Sequence, residues 1–363
     1  MNLYQNVLRG DEKAAFGLRE LYRSYGYLPF KMSKFEEYDL YVRNKDFLVS
    51  DNVITFTDTN GRLMALKPDV TLSIIKNGKD LPGTVEKVYY NENVYRISKG
   101  THAYKEIMQA GLECIGDVNT YQILEVLTLA AKSLKQISDE SVLDLSHLGI
   151  VSDVLENAGL SDAGKKEILN FLGEKNLHGA MEICKQEGVC EASATAIKTL
   201  ITTYGAPEDV FPALKTIGVS EEPLAQLETL VDAMENNGID SVRIDFSVIN
   251  DMRYYNGIVF RGFVKGIPTG ILSGGQYDKM MKKLGRKSHA IGFAVYLDLL
   301  ERLEDSEEYD VDTVLLYDDS DTPERIAAAV EKLSAQGSVT ALQNKPNLKY
   351  KNLMTVKEAE NLG

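Results

Sequence analysis

Apolar and polar positions alternate most clearly over Lys87–Gly116, KVYYNENVYRISKGTHAYKEIMQAGLECIG, and the rest of the chain is organised around that stretch. Two extended segments, Val88–Arg96 and Glu106–Ile115, flank a loop rich in Gly, Lys, Ser and Thr, the pattern of an antiparallel hairpin with a long connection. Strand side chains alternate, so Met108, Ala110, Leu112 and Cys114 share one face and Gln109, Gly111 and Glu113 the other. A carboxylate and an amide on either side of a glycine are a costly set to bury, and the bare glycine predicts room for something to sit on that face. An ordinary half-exposed strand whose polar side meets water gives the same pattern.

The flanking segments extend the picture. Asp11–Tyr25 has helical periodicity, with Asp11 as its cap and Phe16, Leu18, Leu21 and Tyr22 as its apolar stripe. Ile54, Phe56 and Asp58 alternate up to Asn60-Gly61, and Leu63–Leu66 returns, which predicts a second hairpin. Val70–Lys76 predicts a helix with Asp69 at its N-terminus, where capping alone is worth about 1 kcal/mol. Thr120–Ile137 reads as a long amphipathic helix. Residues 138–240 carry helical patterns at Ser161–Leu172, Leu177–Glu187, Ala192–Thr203 and Ser220–Asn236, with a thin strand signal at Val142–Leu145 and no fixed repeat. Strand pattern resumes at Val242–Val248, Met252–Phe263 and Pro268–Gly275. A helix is expected at Gln276–Leu284 and a last one at Gly292–Arg302, with Phe293, Val295, Leu297 and Leu300 inside. An acidic connector, Glu301–Asp312, precedes a βαβ pattern in Thr313–Gly363, whose helix runs from about Thr322 to Gln336.

Composition narrows the function classes. At 363 residues the chain accommodates two or three domains. A net charge of −14 opposes a large nucleic-acid footprint, which needs a basic field to displace counterions. The three cysteines, Cys114, Cys184 and Cys190, form no CxxC, and the N-terminus lacks an apolar signal core, so a reduced cytoplasmic protein is expected. No run reaches membrane-spanning length. The four histidines have no metal-ligand spacing, so no metal is expected.

FTDTNGRLMALKPDVT, the hairpin ending QAGLECIG, RYYNGIVF, SGGQYDKMMKKLG and AIGFAVYLDLLERL resemble, in order and spacing, the catalytic core of histidyl-tRNA synthetase, a class II aminoacyl-tRNA synthetase. The resemblance spans residues 10–305. It implies an α+β fold: an antiparallel sheet flanked by helices over 1–305, an α-helical insertion over 138–240, and a small truncated α/β C-terminal segment over 306–363. That segment then reads as a vestige without RNA contact.

The departures carry as much as the matches. Arg96 stands at one of the family's ATP-phosphate arginines, but Ser98 replaces the glutamate two residues on, and Gly100 and Thr101 lie in a loop one residue short. Where the family's last helix reads Gly-Leu-Glu-Arg, this chain has Tyr296, Leu297, Asp298 and Leu299, and Asn250 replaces a catalytic arginine. Leucine cannot grip a phosphate. The amino-acid side matches better. Asp69 stands where a glutamate meets the substrate's amino group, Gln109 and Glu113 match the hairpin pair, Tyr254 and Tyr255 the tyrosine pair, and Gly274, Gly275 and Tyr277 the glycine-rich strand end. With Thr71 and Arg96 these are the histidine-binding residues the resemblance implies; an ammonium wants acidic acceptors, and an imidazole a donor–acceptor pair near an aromatic wall.

This combination resembles the regulatory subunit of ATP phosphoribosyltransferase, a synthetase paralogue that pairs with a short catalytic subunit in the first step of histidine biosynthesis. The implied chain does no chemistry and needs no cofactor. Its partners are the short-form ATP phosphoribosyltransferase catalytic subunit and L-histidine as effector, in a homodimer within a hetero-oligomer, without tRNA or membrane. A divergent histidyl-tRNA synthetase and a free-standing histidine sensor stay open. So do plain structural readings: Arg96 paired with Glu92 or Glu113, one of Tyr254 and Tyr255 pointing away because strand residues alternate, His102 exposed, and Cys114 in the core.

Overall fold

The hairpin supplies two adjacent strands of the larger sheet. In the computed structural model, described over residues 8–43, 53–78, 83–98, 101–249, 254–303 and 309–362, the chain divides into two compact units, Met1–Leu303 and Glu304–Gly363. The first begins with α1 (Gly10–Ser24), β1 (Leu28–Pro29), β2 (Phe35–Glu37), α2 (Tyr38–Val42), β3 (Thr55–Thr57), β4 (Leu63–Leu66) and α3 (Thr71–Asn77). The hairpin β5 (Val85–Ile97) and β6 (Tyr104–Gly116) follows, then α4 (Thr120–Ile137) and β7 (Ser141–His147). A run of helices from α5 (Leu148–Asn157) to α10 (Glu221–Asn236) intervenes before β8 (Val242–Ile244), β9 (Asn256–Val264), β10 (Leu272–Gln276), α11 (Asp278–Lys283) and β11 (His289–Tyr296).

Eight strands form one sheet in the order β1-β5-β6-β11-β10-β9-β7-β8. The β1–β5 and β7–β8 pairs are parallel and the others antiparallel. α4 starts where Asn119 accepts the Tyr121 N–H and Gln122 returns to the Asn119 N–H, a reciprocal cap. Its stripe Ile123, Val126, Leu127, Ala130 and Leu134 packs with Leu112, Cys114, Phe260 and Phe293 in one buried cluster, which the α5–α10 helices extend through residues such as Ile150, Leu200 and Leu227. In α1 the buried stripe is Ala15, Leu18 and Tyr22, while Phe16 is 54 % exposed and the cap position is Arg9, not Asp11. The opposite sheet face is covered too. There Tyr41, Ile74, Val88, Tyr90, Ile115, Tyr277 and Met280 make a second cluster with α3 and α11.

Burial on both faces corrects one expectation. The apolar run at Gly292–Arg302 is not a helix: His289–Tyr296 is a central strand between β6 and β10, followed by a 3₁₀ turn, Leu297–Leu303. A strand buried on both sides loses its alternation, and periodicity alone does not separate it from a helix. The strand expected at Val242–Val248 is short for another reason: Asp245 accepts from Ser247 N–H and turns the chain after Ile244. Near β3 and β4, Asp58 takes the N–H groups of Asn60 and Arg62 and Gly61 adopts φ 82°, so Asp58 organises the turn instead of alternating in the strand.

The second unit is a three-stranded parallel sheet, β13-β12-β14, of β12 (Val311–Leu316), β13 (Val339–Leu342) and β14 (Tyr350–Thr355), with α12 (Pro323–Ser334) and α13 (Val356–Glu360). The βαβ reading therefore stops too early. β14 was hidden because Lys351, Asn352 and Leu353 are exposed and read as loop. Its core joins Leu315, Ala329, Leu333, Val356 and Ala359.

Candidate functional site

Glu113 lies toward the C-terminal end of β6, opposite Gly292 of β11. A methyl group on Gly292 would collide with the Glu113 carboxyl, so the glycine is what lets that side chain lie across the strand. Thr71 Oγ1 donates to Glu113 Oε1 at 2.7 Å and Tyr277 Oη to Oε2 at 2.6 Å. The residues come from three elements: α3 begins at Thr71, and Tyr277 directly precedes α11. Asp278 fixes that junction by accepting from Ala290 N–H at 2.9 Å and Asn256 Nδ2 at 3.0 Å.

Burial pushes the Glu113 carboxyl up to about 8; the two hydroxyls oppose the shift and nearby Asp69 adds to it. Asp69 is raised as well, by burial first, against the N–H groups of Leu72 and Thr71 and the charge of Arg96. It does cap α3, through Leu72 N–H at 3.0 Å. Capping and site membership coexist in one residue.

Tyrosines wall the carboxyls. The Tyr254 and Tyr255 rings are 4.4 Å apart and Tyr254 and Tyr277 are 5.7 Å apart. Both Tyr254 and Tyr255 feel the charges of Asp69 and Glu113, and burial raises both hydroxyls. Both precede β9, so strand alternation does not sort them: Tyr254 is buried in the second cluster, while Tyr255 packs against that cluster and against Leu148, Val248 and Val259. Gln109 is buried two residues before Gly111, opposite Glu92 on β5 and Tyr296 on β11. Arg96 pairs with neither Glu92 nor Glu113: its Nε donates to Pro68 O at 3.1 Å.

The space expected above Gly111 is filled by the protein itself. A Cβ at Gly111 would lie 2.6 Å from Tyr90 Cζ and collide with Phe293 O, so Gly111 seats the Tyr90 ring. Tyr90, raised by burial, interacts with Glu113, Asp69, Tyr296 and Tyr255, and sequence reasoning missed it. Counting alternate positions back from Arg96 through Val94 and Glu92 reaches it. Leu299 packs against the main core. Asn250, Lys99 and Gly100 lie outside the described residues. His102, at φ 54° in the hairpin connection, is exposed, and Cys114 is fully buried with its thiol pushed up to about 12 by burial. Among the described residues no group of three His, Cys, Asp or Glu could hold a metal ion, and no helix is long and apolar enough to cross a membrane.

Buried Glu113, with no lysine or arginine on it, and half-buried Asp69, lined by aromatic rings, suit a small cation. An ammonium or imidazolium would restore the ionised state that burial opposes, and ring faces would add cation–π attraction.

A mixed sheet of this order, with its helical run between β7 and β8 and this site on the face covered by α3 and α11, defines the class: a class II synthetase-like core. The histidyl-tRNA synthetase family model matches residues 6–300. A protein described as ATP phosphoribosyltransferase regulatory subunit from Caldanaerobacter subterraneus subsp. tengcongensis is 30 % identical over 288 residues, 77 % of this chain and 75 % of that protein. The crystal structure of an ATP phosphoribosyltransferase regulatory subunit/histidyl-tRNA synthetase from Bacillus halodurans C is 23 % identical, with a TM-score of 0.76, covering 95 % of this chain and 93 % of the other. An ATP phosphoribosyl transferase (HisG:HisZ) complex from Thermotoga maritima contains a chain 19 % identical, with a TM-score of 0.64, covering 79 % and 97 %. The chain belongs to the histidyl-tRNA synthetase family and, within it, to the regulatory subunits of ATP phosphoribosyltransferase.

Proposed function

We propose that this chain is a non-catalytic regulatory subunit that binds a short-form ATP phosphoribosyltransferase catalytic subunit, activates it, and carries feedback inhibition by L-histidine. The carrying observation is buried Glu113 with half-buried Asp69 nearby, both carboxyls held above the usual range among Thr71, Tyr254, Tyr255 and Tyr277. Such a site favours the ammonium and ring of a histidine over a neutral ligand. Gln109, on the same sheet face, supplies an amide for the imidazole. The absence of chemistry is supported by Leu299 in the core and Arg96 on a backbone carbonyl, where adenylate formation would need guanidinium groups on phosphate.

Feedback needs only a difference in histidine affinity between assembly states, a coupling of about 1–3 kcal/mol. The working form is a homodimer within a cytoplasmic hetero-oligomer, without tRNA. The test is reconstitution with a short catalytic subunit. Phosphoribosyl transfer is expected only in the mixture, inhibited by L-histidine, with inhibition lost and activation kept in Gln109→Ala. ATP–pyrophosphate exchange by the chain alone would return it to the synthetases.

A further inference from the structure

Lys67 is fully buried, although a lysine ammonium is among the costliest groups to take out of water. It sits between β4 and α3, two residues before Asp69, and pairs with Glu92, which is itself mostly buried. The hairpin register places Glu92 directly opposite Gln109. Glu92 therefore lies on the same sheet face as Tyr90, Gly111 and Glu113.

The same three residues, Lys67-Pro68-Asp69, are tied to β5 twice more. Tyr95 N–H donates to Lys67 O at 2.9 Å, and Arg96 Nε donates to Pro68 O at 3.1 Å. Three consecutive contacts from Glu92, Tyr95 and Arg96 thus hold the segment that presents Asp69. A hydrophobic residue at Lys67 would fill the space without fixing any register. An ion pair fixes it, because a displaced buried lysine would lose the one counter-charge it has among the described residues.

We infer that the Lys67–Glu92 pair is a positioning device for the ligand site, and that Arg96 works in it as a backbone clamp. The pair holds the segment that presents Asp69 against β5, the strand paired with the one that carries Glu113. This rests on the reading of Asp69 as the partner of the ligand's ammonium, and the test separates the two.

Hydrogen exchange by mass spectrometry on a peptide covering residues 66–76 reads the clamp without any ligand, and calorimetric titration with L-histidine reads its consequence. The variants are Glu92→Gln, the double change Lys67→Met with Glu92→Gln, which leaves no unpaired charge in a folded chain, and Lys67→Arg. Exchange in residues 67–72 is expected to rise at least about tenfold in the first two, the equivalent of one charge-assisted hydrogen bond. Residues 109–115 should stay protected and histidine affinity should fall by a similar factor. Lys67→Arg should keep both near wild type. Unchanged exchange in the double variant overturns the clamp. Faster exchange with wild-type histidine affinity supports the clamp and removes Asp69 from the ligand site.

Discussion

Two buried carboxylates face opposite sides of the same hairpin and are treated differently. Glu125, on α4 against the core face, has Lys87 Nζ at 2.6 Å and the Tyr121 hydroxyl at 3.1 Å. Glu113, one residue from Cys114 on the other face, has two hydroxyls and a second acid nearby. Both residues are at least nineteen-twentieths buried, at 5 % and 2 % exposure, so burial does not separate them. Counter-charge does. On the core side the protein brings its own lysine. Glu113 is met by two hydroxyls instead, and under the proposed function the positive charge is the ligand's.

The largest effect should come from removing the counter-charge on the core side. Lys87→Met leaves Glu125 buried and uncompensated, and urea denaturation of the variant should show a loss of about 3–5 kcal/mol. If stability is unchanged, the two faces do not differ in the way described.

Next comes Glu113→Gln, a mimic of the protonated acid. Its histidine affinity should fall about 100-fold, as expected when a hydrogen bond to a charged group is lost, while its melting temperature stays at or above wild type. Wild-type affinity would remove Glu113 from the receptor role.

The seat of Tyr90 predicts a smaller cost. Gly111→Ala forces a methyl into the Tyr90 ring and the Phe293 carbonyl, and should destabilise the first unit by about 1–3 kcal/mol through overpacking.

A pH titration sharpens the contrast further. The Glu113 carboxyl titrates at about 8 in the folded chain against 4.5 as the reference value, so the folded state binds more protons between those values. Its contribution makes stability fall as pH rises from about 5 to about 8 and level off above. Glu113→Gln should flatten that slope; an equal slope in the variant would assign it elsewhere. The smallest effect is in the second unit, where Arg325 forks onto exposed Glu360 at 2.8 and 2.9 Å. Arg325→Ala should move the melting temperature by about a degree or less, as screened surface pairs do.

Alternation alone was enough to divide the hairpin into an apolar face and a Gln109–Gly111–Glu113 face, and the register keeps that division. It could not show what covers the second face, because Tyr90, α3 and α11 arrive there from distant segments or from the opposite strand. Tyr254 and Tyr255 come from the resemblance and not from periodicity, because both precede β9. The site's long-range tie, Lys67 to Glu92, spans 25 positions and leaves no local periodic mark. β11 was misread because its two faces are both dry, and β14 because its residues are mostly wet.

The most direct measurement is calorimetric titration of the whole protein with L-histidine near pH 7.5, in two buffers of different ionisation enthalpy. The account predicts binding with net proton release, seen as a buffer-dependent enthalpy that disappears in Glu113→Gln. Binding with the same enthalpy in both buffers, or no binding, would contradict the claim that Glu113, its carboxyl pushed up by burial, meets the ligand's cation.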